Sequence, residues 1–299
     1  VYKRQTQHGT QRHAHENFDR VSELVRNGAI GELEEVQAFG NRTHHVRGYR
    51  PAAGPVPKII DWEQWIGPVK MHPFNPEYIS GKPGANCLQW NMFHDFGSWQ
   101  VGDMGSHTMD LAWNAIDAGL PTSAKAIGDP YHPEVCPSDL RASFKIPANE
   151  WRNEIVVEWF QGTLKPESPH RAIDIHKIGH GVVFKGSKGA LVTDFRSRIL
   201  IPMNEGADLT YFQSPSEHEV APPHGDFVDQ WINACKGDLK TSCDFDYAGR
   251  MIETLMLGLA AHRADTELKY DGATGRVINN NTANDYLTKE YRKGWVLNA

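Results

Sequence analysis

NEIVVEWF, residues 153–160, decides how the chain is read, together with four stretches like it: TSAKAIG (122–128), RASFKIPA (141–148), GVVFKGSKGALVTD (181–194) and RILIPM (198–203). Each is short, rich in Val, Ile, Phe or Trp, and bounded by Pro, Gly, Asn or Asp, the pattern of strands joined by turns. GSKG at 186–189 reads as a turn. Five or so strands this close in sequence predict a broad, open, largely antiparallel sheet. The fold class expected is α/β, an α+β domain whose sheet is covered by helices.

Helical periodicity flanks that block. In ENFDRVSELVRN (16–27) Phe18, Val21, Leu24 and Val25 recur at helix spacing, and Gly28 follows as a stop. GELEEVQAFG (31–40) alternates Leu33, Val36 and Ala38 with polar residues and predicts a strand with one wet face. Residues 43–97 are rich in Pro, Gly and aromatics and predict long connections carrying short helices. A helix is expected from Asp103 to Gly119. PHGDFVDQWINACKG (223–237) and DYAGRMIETLMLGLAAHRAD (246–265) predict helices that cover the sheet.

Composition excludes several classes. A net charge of -6 argues against a nucleic-acid surface, which needs a basic patch, and EYRKGW (290–295) reads as solvated. No apolar run approaches the ~20 residues of a membrane helix. Cys87, Cys136, Cys235 and Cys243 are spread without a CxxC pair and predict free or buried thiols, not a disulfide framework or zinc ribbon. His170, His176 and His180 lie in what reads as strand and turn, so no metal site is expected, and His44 and His45 read as surface residues. GxSxG and GxGxxG are both absent.

VGDMGSHTMDLAW (101–113) is the best candidate for chemistry. At about 100° per residue, Asp103, His107 and Asp110 share one helix face. A histidine one turn below a carboxylate suits proton removal from an alcohol near neutral pH. The same spacing equally describes an N-cap aspartate and a packing histidine. Gly102 and Gly105 leave room for a ligand or another chain to approach. Upstream, Trp90, Asn91, Phe93, His94 and Asp95 suit a polyol pocket, with aromatic faces against sugar C–H groups, or else a packed aromatic loop.

Several blocks in this order resemble the Gfo/Idh/MocA family, named for glucose-fructose oxidoreductase, inositol dehydrogenase and a rhizopine catabolism protein. They are TQHGTQRHAHENFDRVSELVRNGAIGELEEVQAFGNR (6–42), DWEQWIGP (61–68), GDMGSHTMDLAWNAIDAGLPTSAKA (102–126), SCDFDYAGRMIETLMLGLAAHR (242–263) and TANDYLTKEYRKGW (282–295). The resemblance spans nearly the whole chain and looks nearest to a bacterial subgroup whose members often carry export signals, leaving cytoplasm and periplasm both open. It implies a Rossmann domain with GxGxxG and a catalytic lysine in an EKP motif, neither of which stands in these residues. Residues 1–30 are therefore expected to be the remnant of an N-terminally truncated NAD(P)-binding domain, the last strand and helix beginning near residue 6. Residues 31–299 are expected to be the substrate-binding and oligomerisation domain. VYKRQ (1–5) reverse-translates to a transposon end used in library preparation and reads as an assembly scar.

By the same resemblance Asp103 and His107 are catalytic, with His107 taking the alcohol proton. Gln11 and Arg12 border the nicotinamide and substrate. Trp90, Asn91 and His94 are expected to contact the substrate on the polyol-pocket reading of their side chains, apart from the resemblance. Asp110 is structural. The activity implied is NAD- or NADP-dependent oxidoreduction of a sugar or polyol in a dimer or tetramer, the chain as given being inactive without its main dinucleotide loop. Alternatives are a glycosidase acting by transient oxidation and elimination, or a non-catalytic carbohydrate-binding module.

Overall fold

The computed structural model describes residues 5–44, 53–79, 89–202, 225–237 and 239–296. Its strands are β1 (Leu33–Gly40), β2 (Ser123–Gly128), β3 (Leu140–Ile146), β4 (Ile155–Gln161), β5 (His180–Gly186), β6 (Gly189–Thr193), β7 (Arg198–Pro202), β8 (Leu268–Asp271) and β9 (Arg276–Val277). They form one sheet in the order β7-β6-β5-β1-β4-β3-β2-β8-β9. Neighbours run antiparallel except β1 and β4, which are parallel. Gly186 pairs with Gly189 across the Ser187–Lys188 turn. This is the α/β fold with a large, mostly antiparallel sheet that the strand block predicts.

The helices are α1 (Glu16–Arg26), α2 (Trp62–Ile66), α3 (Trp99–Gly102), α4 (Met104–Ile116), α5 (Phe227–Lys236) and α6 (Phe245–Ala264). Strand alternation turns Val36, Ala38, Phe144, Val157, Trp159 and Phe184 to one face, where they share a core with Phe18, Met109, Leu111, Met251 and Leu255 of α1, α4 and α6. Each such side chain contributes about 1.5–3 kcal/mol when fully buried. At Gly258 of α6 a Cβ would come within 2.9 Å of the Phe144 ring and 3.0 Å of Ala142 Cβ, so the helix lies this close to β3 only because glycine stands there. α1 contributes Phe18, Val21, Leu24 and Val25 to this core.

Several expectations are corrected. β1 is dry on both faces from Val36 to Gly40, because Leu164, Ile173, Ile175 and Ile178 from the β4–β5 connection cover Phe39, Phe160 and Val183. α5 does not cover the sheet: only Ala234 is buried, while Val228, Trp231 and Ile232 are 59%, 38% and 39% exposed. Amphipathic spacing defines an apolar face without saying what meets it. Residues 5–10 form no strand; His8 N–H donates to the Cys243 carbonyl at 2.9 Å, but there is no ladder to continue it.

His44 is buried, not superficial, with Nε2 2.9 Å from the Cys136 carbonyl oxygen. Arg292, in the stretch expected to be solvated, donates to the Gly67 carbonyl at 2.9 Å and pairs with Glu63, clamping α2. Cys136 and Cys243 are buried free thiols pushed up to about 12 and about 11 by burial, and Cys235 is half-buried and free. Cys87 and His45 lie outside the described residues, as do Met203, Pro223 and His224 of the predicted elements.

Candidate active site

The helix expected from Asp103 to Gly119 is α4, with Asp103 at its N-cap position; φ -79° and ψ -98° at Asp103 part it from the short α3 upstream, which the periodicity does not predict, and Asp117 ends α4 in the left-handed conformation at φ 49°. The two glycines serve this junction. A Cβ at Gly102 would strike Ser98 Oγ, and one at Gly105 would lie 2.7 Å from the Gln100 carbonyl oxygen, so the room they leave is filled by the chain's own turn and not by a ligand. Asp103 stands at the N-cap position without a side-chain capping bond. Its Oδ2 instead accepts from Arg42 Nη1 at 3.1 Å, just beyond the end of β1.

His107 lies one turn into α4, half-buried, with Nδ1 buried and unpartnered among the described residues. Burial pushes its pKa down; Asp103 and Asp110 pull it back in part, while His8 and Arg12 push it further down. The imidazole is therefore neutral near pH 7, the form a proton acceptor needs.

Two more histidines lie close enough to couple electrostatically with His107. His180, paired with Gly40 at the start of β5, is pushed down to about 4, first by burial and then by Arg42, Lys165, His107 and Arg12. His8 is also lowered by burial, against the opposing charge of Asp110. The Nδ1 atoms of both are buried without a partner among the described residues. Trp159 is fully buried, packed beneath Gly40 and Gly105. Its ring atoms lie 3.2 Å from where a Cβ would stand on Gly40 and 3.5 Å from that of Gly105, and its Nε1–H donates to Gln161 Oε1 at 3.0 Å.

Asp110 lies further along the same helix. Fully buried, it receives the His13 Nδ1–H at 2.9 Å and the Tyr247 hydroxyl at 2.6 Å. Burial and Asp110 together hold the Tyr247 phenol well above its ordinary range, so it stays a donor. This group joins the 3-10 turn Gln11–Ala14 to α4 and α6. On that turn Gln11 is exposed, and Arg12 lies 4.5 Å over the Phe195 ring.

Trp90, Asn91 and His94 sit elsewhere. Trp90 packs against the aromatic cluster of Tyr78, Phe93 and Trp99. The Asn91 amide is engaged in its own loop, accepting from Ser98 N–H at 3.1 Å and donating to the Trp99 carbonyl at 3.3 Å. His94 lines a groove of about 1220 Å³ between α6 and residues 286–296, with Tyr131, Met256 and Arg263. There burial, then Arg263 and His262, push it down to about 4. Among the described residues no three His, Cys, Asp or Glu side chains come together to hold a metal ion.

His8, Arg42, His180, His13 and Tyr247 are the residues that spacing along the chain misses. Only the β1–β5 register and the packing of α4 bring them to Asp103 and His107.

Among solved structures the chain is similar to an NAD-binding protein from Listeria innocua, at 14% identity and TM-score 0.50, covering 88% of this chain and 63% of that one. It is also similar to the WlbA dehydrogenase from Chromobacterium violaceum in complex with NADH and UDP-GlcNAcA, at 13% identity and TM-score 0.52, covering 88% and 62%. The chain thus spans less than two thirds of the length of either. No protein-family model matches the sequence, and no curated protein matches it.

Proposed function

We propose that this chain, whose fold is that of the Gfo/Idh/MocA-like oxidoreductases, serves oxidation or reduction of a sugar or polyol hydroxyl carbon with NAD or NADP. The observation that carries this is His107: a half-buried imidazole that burial keeps neutral, one turn from a carboxylate held by Arg42.

In the oxidative direction His107 accepts the hydroxyl proton as the carbinol C–H bond breaks. Without that transfer, positive charge would build on the carbon; a positioned base typically contributes ~100- to 10,000-fold. Asp103, held by Arg42, favours the imidazolium that results. A bound nicotinamide would supply the hydride acceptor for this step.

The residues present fit one end of such a cofactor. Exposed Gln11 and the Arg12 guanidinium on Phe195 would border it, while no glycine-rich phosphate loop occurs in the 299 residues. In this proposal, polypeptide outside them supplies that loop and the lysine, residues 1–30 belonging to the same dinucleotide domain. The exposed apolar side chains of α5 suit its docking. Ile127, Val156 and Ile199, exposed at 64%, 41% and 51% on the sheet face away from the helices, support a homodimer or tetramer.

The test is net NADH formation by the whole protein from NAD and a panel of sugars and polyols. His107→Ala should lower kcat by ~100-fold or more while circular dichroism is unchanged. Unchanged turnover in that variant would overturn the assignment. Release of free sugar from a glycoside without net NADH would favour elimination instead.

A further inference from the structure

Trp99, Asp117 and Asp265 are the non-glycine residues of positive φ among the described residues. The two aspartates end α4 and α6, where a short polar side chain tolerates the left-handed conformation. Trp99 does not fit that pattern. It opens α3 at φ 50° with a bulky, buried ring packed edge-on against His44 at 5.0 Å. A large side chain in that region is strained, and the conformation persists only where neighbours hold it.

Asn91 supplies the hold. Its Oδ1 accepts the Ser98 N–H at 3.1 Å and its Nδ2 donates to the Trp99 carbonyl at 3.3 Å, so one buried carboxamide bonds the peptide groups on both sides of the strained turn. Asn91 is fixed in its turn: the His94 N–H donates to the Glu134 carbonyl at 2.9 Å and the Cys136 N–H to the Met92 carbonyl at 2.8 Å, tying the backbone beside it to residues 134–136. Gly97 admits the carboxamide, because a Cβ there would stand 2.0 Å from Asn91 Oδ1.

The Trp99 carbonyl that Asn91 holds also accepts the Asp103 N–H, at 3.0 Å. Asp103 has no side-chain capping bond, so on the α3 side this contact fixes its backbone. Relaxation of Trp99 to the right-handed region would turn the carbonyl away from that N–H, and the carboxylate one turn before His107 would move with it.

We propose that Asn91 is a positioning residue, which sets the place of Asp103 relative to His107 by holding Trp99 left-handed. This rests on reading Asp103 and His107 as the site of hydroxyl oxidation.

Two measurements test it. In the whole protein Asn91→Leu should lower kcat ~10- to 100-fold at unchanged KM, the scale of a small misplacement in an active site. It should lower kcat no further where Asp103 is already replaced in Asp103→Asn, since residues that act through one another are not additive. In the 299-residue chain without nucleotide, His107 followed by NMR should titrate at lower pH in Asn91→Leu than in the unsubstituted chain, as it should in Asp103→Asn. The Asp103 charge raises that pKa against burial, His8 and Arg12, while Asp110 stays fixed by His13 and Tyr247. Gly97→Ala displaces the same carboxamide by contact and should shift the titration the same way, so an Asn91→Leu chain that fails to fold leaves the answer to this variant. An equal loss of kcat with and without the Asp103 carboxylate, or a His107 titration unmoved in these variants at unchanged circular dichroism, would overturn the proposal. The titration needs no nucleotide, so the two claims separate. A shifted titration with no NADH from the whole protein removes the dehydrogenase reading alone; NADH formed with an unmoved titration removes the role of Asn91 alone.

Discussion

His13 Nδ1 lies 2.9 Å from Asp110 Oδ1, both residues buried, and this contact fastens the turn that carries Arg12 to the helix that carries His107. A carboxylate only accepts, so Nδ1 carries the proton, and the Tyr247 hydroxyl gives Asp110 its second donor. Asp110→Asn puts an amide where two donors converge. It should cost about 3 kcal/mol in urea unfolding, the scale of breaking a buried charged hydrogen bond. A loss near zero would mean that the contact does not hold the turn.

Because burial depresses the His107 pKa, the acid limb of kcat/KM in the whole enzyme should fall below pH 6.5. The Asp103 charge raises that pKa, so Asp103→Asn should move the limb to still lower pH as well as slowing turnover. A limb that stays in place in the variant would separate Asp103 from the base.

Stability should fall on acidification through the same histidines. His94 and His180 sit at about 4 in the folded chain against 6.5 when unfolded, so the unfolded chain takes protons first as the pH drops. Their contribution is complete above pH 6.5 and is lost progressively toward pH 4, on the order of 1–3 kcal/mol each. His8 and His107 act in the same direction. His72, raised chiefly by its hydrogen bond to Asp95, acts in the opposite one. Urea midpoints at pH 7 and pH 5 would reveal the difference, the pH 5 value being lower.

Calorimetry of the chain with NADH should give no micromolar binding, since no GxGxxG stands in the 299 residues to cradle a pyrophosphate. Binding at that level would place the dinucleotide site within these residues.

Gly40→Ala should disturb the packing at His180 without touching its chemistry. The added Cβ would stand 2.9 Å from His180 Nδ1 and 3.2 Å from Trp159, so the imidazole must shift. About 1–3 kcal/mol of stability should be lost, with a change in the His180 proton resonance on titration. An unaltered resonance would show that the ring has other room.

Much of the scaffold is readable from local order. The strands about Val157, Phe184 and Leu191 and the helix at Phe18, Val21, Leu24 and Val25 follow from period-two and helical spacing. Asp110 was readable as structural from its place further along α4. The short α3 just before Asp103 was not, because it depends on where Ser98 and Gln100 fold back against Gly102 and Gly105. Nor was the separation of Trp90, Asn91 and His94 from His107: nearness in sequence predicts a shared pocket, yet the loop turns Asn91 on itself and His94 toward α6.

Residue order alone thus determined which segments are strands and helices and that Asp103 and His107 stand one turn apart, since both depend on neighbours a few positions away. Only the tertiary structure decided what surrounds them. Arg42 and His180 come near His107 because β1 pairs with β5 and α4 packs across them. The burial that keeps these imidazoles neutral belongs to that assembled shape and to no short stretch of the chain.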